Sequence, residues 1–462
     1  MTLATGNPPT SGTPVAAGGG ALLPGPPMKP VTRPRTDRRL RRTRALLAVG
    51  ALVFGAAGIT SAQIRADGSD DVKSHSGVLI QQAEVLYHKL SEADATSATI
   101  YLHVGEAPKK LLTQYDDDLK AAQAALLAAT NEAGTDPVAN QALTEISQQL
   151  PIYAKLNATA AANNLVGYPV GFRYLTQAST LMQGTILPQA QKLSDAEAKN
   201  LSAAEDTATQ FPVLMVVAGV LMLAALAVVQ VRESRRTHRL FSLGLLGATA
   251  ALLLSLVWTA AAASIQSAHV DHAKKRGSDQ INTLAAARIL SLQGRTDEML
   301  TLVGRGTADD KETDFAGTDA NGSHTPGTLD KLLDTLHLAA VSAADGQAHD
   351  LALKAATDVD AWETQHKALR DFDRQNQYQK AVDSALGEGT EFTDPKPSAA
   401  LAFATLQSDL DSAIRHAEDS FQTEAKAASD ALTGLQIGLG VLSLAMAGAV
   451  VVGLGRRLAE YH

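Results

Sequence analysis

The sequence contains no cysteine and few aromatic residues, which make up 4% of the chain. Without cysteine there is no disulfide framework, no thiolate metal site and no cysteine-linked lipid anchor. Scarce aromatics together with abundant alanine favour closely packed helices over β-sheets, whose strands are rich in aromatic and β-branched residues. We therefore expect an all-α protein.

Charged residues are missing from two apolar runs that lie almost back to back, 212–231 and 240–263. A helix of about 20 apolar residues spans a bilayer, and each run is long enough. The connector 232–239 is rich in arginine. Short basic loops of membrane proteins face the cytoplasm. The two runs therefore predict a transmembrane hairpin with a cytoplasmic turn.

Two further apolar runs, 45–62 and 432–455, predict a first and a fourth span. Basic residues 38–44 precede the first run, and Arg456 and Arg457 follow the last. We therefore expect a multi-pass plasma-membrane protein with both termini in the cytoplasm. A cleaved signal peptide is the alternative interpretation of the first run, because small residues at 60–62 resemble a cleavage site.

The outer segments between the spans have the heptad spacing of packed helices. Leu79, Leu86 and Ile100 belong to one such stripe. In the first segment, turns at 105–108 and 133–137 separate antiparallel helices, and Pro188 is expected to bend the last of them. In the second segment we expect a loop-like tip at 305–327, followed by helices over 328–344 and 349–386. The predicted order is a disordered basic tail (1–44), TM1 (45–62), outer bundle 1 (63–211), TM2 (212–231), a cytoplasmic arginine loop (232–239), TM3 (240–263), outer bundle 2 (264–431), TM4 (432–455) and a cytoplasmic stub (456–462).

An internal repeat connects the two halves. Leu90, Ser91, Thr96 and Leu102 are matched at a constant offset by Leu290, Ser291, Thr296 and Leu302. The same order of basic anchor, span, long helix and glycine-bearing tip occurs twice. The predicted fold class is an all-α membrane protein with four transmembrane helices and two extracytoplasmic antiparallel helical-bundle, coiled-coil-like domains arranged as a tandem repeat.

Patterns that carry catalysis are not found in the sequence: no nucleophile is spaced with a base, and no glycine loop could cradle a phosphate. We expect neither an enzyme nor a cofactor. His269 and His272 lie one helical step apart beside Asp271, a spacing suited to metal. With no third ligand in view, we favour a polar juxtamembrane turn and predict no metal site. Basic residues cluster at the ends of the spans, which indicates a lipid bilayer as partner and no nucleic acid.

Four stretches carry a family resemblance: 163–175; 295–306; Trp362 with 366–370 and 380–382; and 457–461. They resemble the GlnX family of actinobacterial membrane proteins, held to connect an amino-acid-binding lipoprotein outside the membrane with a soluble Ser/Thr kinase inside. The chain departs from that family at Ala161, Leu165 and Val166, where more polar, arginine-containing residues are expected.

The resemblance implies a transmembrane signal relay that controls nitrogen and glutamate metabolism, with glutamate or aspartate as the sensed ligand of a solute-binding lipoprotein. The residues expected to contact this lipoprotein at the outer tips are Asn163, Asn164, Gly167, Tyr168, Pro169, Gly171, Tyr174, Arg295, Glu298, Arg305 and Gly306. Those expected to contact a soluble Ser/Thr kinase in the cytoplasm are Arg232, Arg235, Arg236, Arg239, Arg457, Glu460 and Tyr461. A purely structural helix–loop–helix corner explains the run 163–174 equally well.

Two other functions fit the same pattern. A chemoreceptor-like sensor would bind a small ligand directly between its bundle helices. An envelope scaffold or transport accessory protein would have no signalling role. The spans hold no ionisable residue, which disfavours an ion pump or coupled transporter. The oligomeric state stays open, with a homo-oligomer as one expectation.

Overall fold

The computed structural model describes residues 36–74, 76–103, 105–133, 136–209, 213–237, 243–320, 323–392 and 396–459. Of the predicted disordered tail 1–44, residues 1–35 lie outside the described residues, whereas residues 36–44 are helical and begin the first helix. The helices are α1 (Thr36–Ser74), α2 (Ser76–Leu102), α3 (Lys109–Glu132), α4 (Pro137–Leu165), α5 (Val170–Leu181), α6 (Leu187–Thr209), α7 (Val213–Thr237), α8 (Leu243–Ala273), α9 (Asp279–Gly304), α10 (Asp309–Ala316), α11 (Thr328–Ser342), α12 (Gly346–Arg374), α13 (Tyr378–Leu386), α14 (Gly389–Phe392), α15 (Ala399–Asp430) and α16 (Leu435–Ala459). Two π-turns, Met182–Ile186 and Lys274–Ser278, join α5 to α6 and α8 to α9.

Four helical segments among the described residues are long and apolar enough to cross a membrane. They are Arg41–Asp67, Val213–Arg232, one part of Leu243–Gly304 and one part of Ala399–Gly455. Helices α1, α7, α8 and α16 pack as a ring in which α1 contacts α7 and α16, and α8 contacts the same two helices. The predicted all-α membrane fold with four spans is confirmed.

Small residues allow these spans to approach closely. Gly244 of α8 lies against Gly453 of α16, where a Cβ atom on either glycine would collide with the backbone of the other. Gly438 of α16 faces the indole ring of Trp258, 2.5 Å from where its Cβ would stand. Contact between small residues is the usual way in which membrane helices pack without a hydrophobic driving force between them.

A buried arginine joins two spans where they leave the membrane. Arg65 of α1 is 4% exposed. Its Nε donates to Oε1 of Gln266 at 2.7 Å, and its Nη2 donates to Oγ of Ser267 at 3.0 Å and to the carbonyl of Ala263 at 3.3 Å. All three acceptors belong to α8, so the guanidinium ties the outer end of α1 to that of α8.

Bundle 1 is formed by α2 to α6 around an apolar core that includes Leu86, Ile146 and Leu193. The helix bounds follow the predicted turns. At the predicted bend near Pro188 the helix contains the π-turn Met182–Ile186. Proline has no N–H to continue the α-helical pattern, which explains why the hydrogen bonding changes there.

Bundle 2 is formed by α9 to α15 around Leu332, Val359 and Leu410. Two details differ from the predicted loops and helices. The tip 305–327, predicted as a loop, contains α10 and a hairpin of strands Thr318–Ala320 and Ser323–Thr325. The helix predicted over 349–386 is divided after Arg374, where Asn376 adopts φ 60°. Such left-handed backbone interrupts a helix.

The two bundles pack side by side through α2 and α9. At the end farthest from the spans they share one apolar core, the distal cluster, which contains Ala98, Leu102, Ala160, Leu175, Met299, Leu300, Leu302, Leu369, Ala381, Val382, Ala385 and Ala399. The repeat-matched Ser91, Thr96 and Leu102 and their counterparts Ser291, Thr296 and Leu302 are all buried. The tandem repeat itself stays a prediction.

Candidate functional site

The predicted partner-binding run 163–174 forms the corner between α4 and α5. Asn164 Nδ2 donates to the carbonyl oxygens of Tyr101 at 3.1 Å and His103 at 3.3 Å, which caps the end of α2. Gly167 adopts φ 73°, a conformation that favours glycine. A Cβ atom on Gly171 would lie 2.5 Å from the Tyr101 hydroxyl. These residues build the corner, as the structural alternative expected.

Other residues of the same corner are exposed and apolar. Leu165 is 62% exposed, Val166 60%, Tyr168 60% and Val170 44%. Together with the exposed Pro169 they form a surface that we call the tip patch. Contiguous apolar surface of this kind marks interaction sites in soluble domains. Within the corner, the tip patch is therefore the part available to a partner.

A cavity of about 540 Å³ lies between α2, α3 and α4, just beside the tip patch. Its walls are mainly apolar and include Ile100, Leu112, Leu119 and Ala158. Glu106 and Asp116 also line it, whereas no described lysine, arginine or histidine does. A cavity of this size and lining can hold a small molecule. Its charge pattern suits a neutral or cationic ligand better than a carboxylate.

Poorly paired polar groups lie at this cavity. Asn157 lines it and is 7% exposed, and neither its Oδ1 nor its Nδ2 makes a well-formed hydrogen bond to the described residues. Tyr115 also lines the cavity, and the buried hydroxyls of Tyr115 and Tyr153 interact with the Asn157 amide. Burial raises the pKa of Tyr115 to about 12, so it stays a neutral donor. Buried polar groups are nearly always paired, and these are the groups that a ligand could satisfy.

Below this cavity, Asp94 of α2 is 2% exposed and accepts a hydrogen bond from Ser179 Oγ at 2.8 Å. Burial raises its pKa to about 6. Asp297 of α9 faces it across the junction between the bundles, and burial raises the pKa of Asp297 to about 7. Lys311 Nζ lies 3.5 Å from Asp297 Oδ1. Both carboxyls therefore titrate near neutral pH inside the contact between the two bundles.

Bundle 2 contains a network of buried, paired charges. Arg295 and Glu298 of α9 are 6% and 0% exposed. Arg295 Nη1 donates to Glu298 Oε2 at 2.6 Å, and Nη2 donates to the carbonyl of Ala385. The guanidinium also lies 5.1 Å from the ring centroid of Phe403. Both residues were expected to contact a partner, but the structure places them inside the bundle, where no surface of theirs is available.

His366 of α12 continues this network. Its Nδ1 lies 3.0 Å from Glu298 Oε1, and its Nε2 lies 3.3 Å from Glu312 Oε1. Burial lowers the pKa of His366, but hydrogen bonds with the two glutamates outweigh burial and raise it. Arg370 Nε, 3.1 Å from Glu312 Oε2, extends the chain of charges. The indole N–H of Trp362 also lies 3.3 Å from Glu298.

The remaining predicted outer residues lie at the top of bundle 2 or next to it. Arg305 ends α9 with φ 45°, and its guanidinium lies 4.1 Å from the ring centroid of Tyr378. Gly306 follows with φ 81° and is exposed. Asn163 and Tyr174 are half-buried. Of the predicted outer contact residues, those with exposed surface at the distal end are therefore Gly167, Tyr168, Pro169, Arg305 and Gly306.

The predicted cytoplasmic residues are only partly described. Arg232 and Arg235 are exposed and extend helix α7, which continues to Thr237 where a loop was expected. The backbones of Arg236 and Arg457 are helical. Arg239, Glu460 and Tyr461 lie outside the described residues. Contact of these residues with a kinase stays a prediction.

The cavity, the tip patch and Asp94 all fall within one segment that matches a known family. Residues 68–206 match the actinobacterial sensor domain. The match covers bundle 1 and less than a third of the chain. No curated protein matches this sequence. The chain is thus a multi-pass membrane protein in which one segment resembles a sensor domain, and this resemblance indicates a role in membrane sensing or signalling.

Sequence reasoning did not single out Asn157, Tyr115 or Asp94. A signal was present in α4, where Asn157 follows the buried Ile146, Leu150 and Tyr153 at helical steps of three and four. A polar residue in an apolar stripe is expected to need a partner. All of these residues lie in the segment 68–206 that matches the actinobacterial sensor domain.

Proposed function

We propose that this protein is a transmembrane signal relay that couples an amino-acid-binding lipoprotein outside the membrane to a soluble Ser/Thr kinase in the cytoplasm. In this proposal the protein is not itself an enzyme, and both termini are cytoplasmic. The observation that carries the proposal is the tip patch, an exposed apolar surface on the sensor domain at the end farthest from the spans. The resemblance to the GlnX family supplies the identity of both partners and the link to nitrogen and glutamate metabolism.

The tip patch is suitably placed for a lipoprotein. Tyr168 and Pro169 sit at the outermost corner of bundle 1, above the distal cluster that both bundles share. Tyrosine is enriched at the centres of protein interfaces, and the exposed leucine and valine beside Tyr168 add apolar area that a partner could cover. Arg305, on top of bundle 2, offers a cation beside the same cluster. A lipoprotein that docks across both tips would contact the two bundles together.

Helices provide the route from the tips to the membrane. The segment Leu243–Gly304 is helical throughout its 62 residues and extends from the third span to the distal cluster. At 1.5 Å per residue it is about 93 Å long. Signalling proteins transmit shifts of about 1 to 2 Å along packed helices. A displacement of α9 at the tip would thus reach the cytoplasmic side through α8.

Docking is tested with the full-length protein in nanodiscs and a purified lipoprotein of the glutamate/aspartate-binding class, by biolayer interferometry. We expect Tyr168→Ala with Pro169→Ala to weaken binding about tenfold or more, because truncating a central aromatic anchor typically removes about 2 kcal/mol or more. Leu127→Ala is the matched control, since Leu127 is 63% exposed but lies on α3 away from the tip. Unchanged affinity of the double variant, with an unchanged melting temperature, would contradict docking at the tip patch.

A second function is favoured by the cavity beside Asn157. In this version bundle 1 binds a small ligand directly, and its lining without described cations points to a neutral or cationic molecule with an amide-like group. Isothermal calorimetry of the full-length protein, without lipoprotein, against glutamine, asparagine, glutamate and aspartate separates the two functions. Micromolar binding of a neutral amide that disappears in Ala158→Trp supports direct sensing, whereas no heat with any of the four supports the relay.

A further inference from the structure

Three side chains with metal-binding chemistry meet where the outer helices leave the membrane. His269 and His272 lie on α8, six and nine residues beyond the predicted end of the third span at Ala263. Glu424 lies on α15, eight residues before Leu432, where the fourth predicted span begins. The sequence showed the two histidines but no third ligand. The fold supplies it from a helix more than 150 residues away.

The donor atoms of these three residues all lie within 4.8 Å of one another. His269 Nδ1 is 2.6 Å from Glu424 Oε2, and His272 Nδ1 is 3.8 Å from Glu424 Oε1. The imidazole rings stand perpendicular to each other with centroids 6.5 Å apart. Each ring therefore directs a nitrogen toward the same carboxylate.

We propose that His269, His272 and Glu424 form a binding site for a divalent transition metal, with zinc as the best chemical match. Two imidazoles and one carboxylate, with a fourth position left open, are a common zinc ligand set. Zinc–ligand distances of about 2.0 to 2.2 Å place tetrahedral donor atoms about 3.3 Å apart. Reaching that geometry requires the His269 pair to open by less than about 1 Å and the His272 pair to close by about 0.5 Å.

Neighbouring charges show what the metal would displace. Arg276 Nη1 lies 3.4 Å from Glu424 Oε1, so the guanidinium would compete with a metal for this carboxylate. Asp271, between the two histidines, is paired with Lys275 at 2.9 Å and stays outside the ligand set. Zinc would take Glu424 from Arg276. Removing the guanidinium should therefore tighten metal binding.

The position of this site gives it a consequence for signalling. On the side away from the membrane, π-turn Lys274–Ser278 follows directly, and Gly277 in it packs so closely against Phe421 of α15 that a Cβ atom would stand 2.5 Å from the Phe421 Cβ. A metal bound just below would clamp α8 to α15 at the membrane surface. Relative sliding of the third and fourth spans would then require metal release.

The test titrates zinc chloride into the full-length protein in detergent at pH 7.5 by calorimetry, with cobalt chloride and visible absorption as a second probe. We expect one zinc per chain, and a loss of affinity of about tenfold or more in each of His269→Ala, His272→Ala and Glu424→Gln. Glu424→Gln is nearly isosteric, so its melting temperature without metal verifies the fold. His416→Ala is the matched control. His416 also lies on α15, but its side chain pairs with Asp345 and not with Glu424.

Arg276→Ala sharpens the test, since it should bind zinc more tightly than the parent protein. Visible absorption of bound cobalt with the intensity of a four-coordinate complex would report the ligand geometry directly. Binding that is absent from the parent protein, or that survives Glu424→Gln unchanged, would overturn the proposal. So would equal losses in His416→Ala and His269→Ala.

Discussion

The two outer bundles place different kinds of polar group in their interiors. Bundle 1 buries neutral polar atoms of Asn157, Tyr115 and Tyr153 at or beside a cavity of about 540 Å³. Bundle 2 buries Glu298 and His366 in a network of paired charges. Neutral polar groups beside a cavity can be satisfied by a ligand, whereas paired charges fix the positions of the helices that carry them.

This difference suggests that the two bundles have different roles. Bundle 1 carries the sensor-domain match, the cavity and the tip patch, so it has the features of the receiving part. Bundle 2 packs against it through α9, which continues into the third span. If paired charges keep bundle 2 rigid, a local change in bundle 1 would shift helix α9 as a whole and would not be absorbed by rearrangement inside bundle 2. Substitutions in each interior test whether the two bundles differ in this way.

The largest effect is expected in the paired network of bundle 2. Glu298→Ala leaves Arg295 and His366 without their shared carboxylate in a fully buried site, and breaking a buried ion pair destabilises by about 3 to 5 kcal/mol. We expect a melting temperature lowered by several degrees, measured by differential scanning fluorimetry in detergent. Lys367→Ala, which breaks an exposed pair with Glu363 on the same helix as His366, serves as control and should change little. An equal drop in melting temperature in both variants would show that the buried network contributes no more to stability than the control pair.

The acidic contact between the bundles should make stability depend on pH. Asp94 and Asp297 have folded-state pKa values raised to about 6 and about 7 from 3.8. The folded protein therefore binds these protons more tightly than the unfolded chain, and their contribution to stability falls as pH rises from about 4 to about 7. At pH 8 we expect Asp94→Asn with Asp297→Asn to melt at a higher temperature than the parent protein.

That difference should shrink as the pH is lowered to 5, where the parent carboxyls are protonated as well. Asp117→Asn is the control, since Asp117 is 65% exposed. A melting temperature that is raised equally at pH 5 and pH 8 would refute titration of these carboxyls as the cause.

An effect of opposite sign is expected in the cavity of bundle 1. Asn157→Leu replaces an unpaired buried amide with an apolar side chain, and leaving such a group unsatisfied costs about 1 to 3 kcal/mol. We expect the free energy of unfolding to rise by about 1 kcal/mol. The matched control is Asn164→Leu, in which the amide lost donates to two carbonyls and stability should fall. A lower melting temperature for Asn157→Leu would show that this amide is already satisfied.

The smallest effect on stability is expected at the tip patch. Tyr168 is 60% exposed, and substitutions at such surface positions usually change stability by less than about 0.5 kcal/mol. Tyr168→Ala should therefore leave the melting temperature unchanged within about one or two degrees. A larger loss would mean that Tyr168 holds the corner together and is not free to serve a partner.

Much of the fold could be predicted because membrane spans and heptad stripes are local patterns. The spans follow from the length of apolar runs, and the turns at 105–108 and 133–137 follow from glycine and proline, which end helices for reasons of backbone geometry alone. The hairpin in the tip 305–327 was not predicted. A strand of three residues such as Thr318–Ala320 is too short to show the alternation of apolar and polar residues by which strands are recognised.

The candidate sites depended on contacts that no local pattern contains. Run 163–174 was found from its sequence, but which of its residues face solvent is decided by Tyr101 and His103 on another helix. In the sequence, Arg295 and Glu298 resembled surface charges. In the fold they are buried, because His366 and Trp362 of α12 pack against Glu298. Glu424 lies 152 residues from His272, so only the fold could join them.

Arg65 limits how the spans can move. Pulling α1 away from α8, or shifting one past the other by a helical step, would strip a guanidinium of Gln266, Ser267 and the carbonyl of Ala263 at a place with little water. Such a rearrangement is strongly disfavoured for a buried charge. The first and third spans should accordingly move as one rigid body. A conformational change that crosses the bilayer would then be a shift of this pair relative to the second and fourth spans.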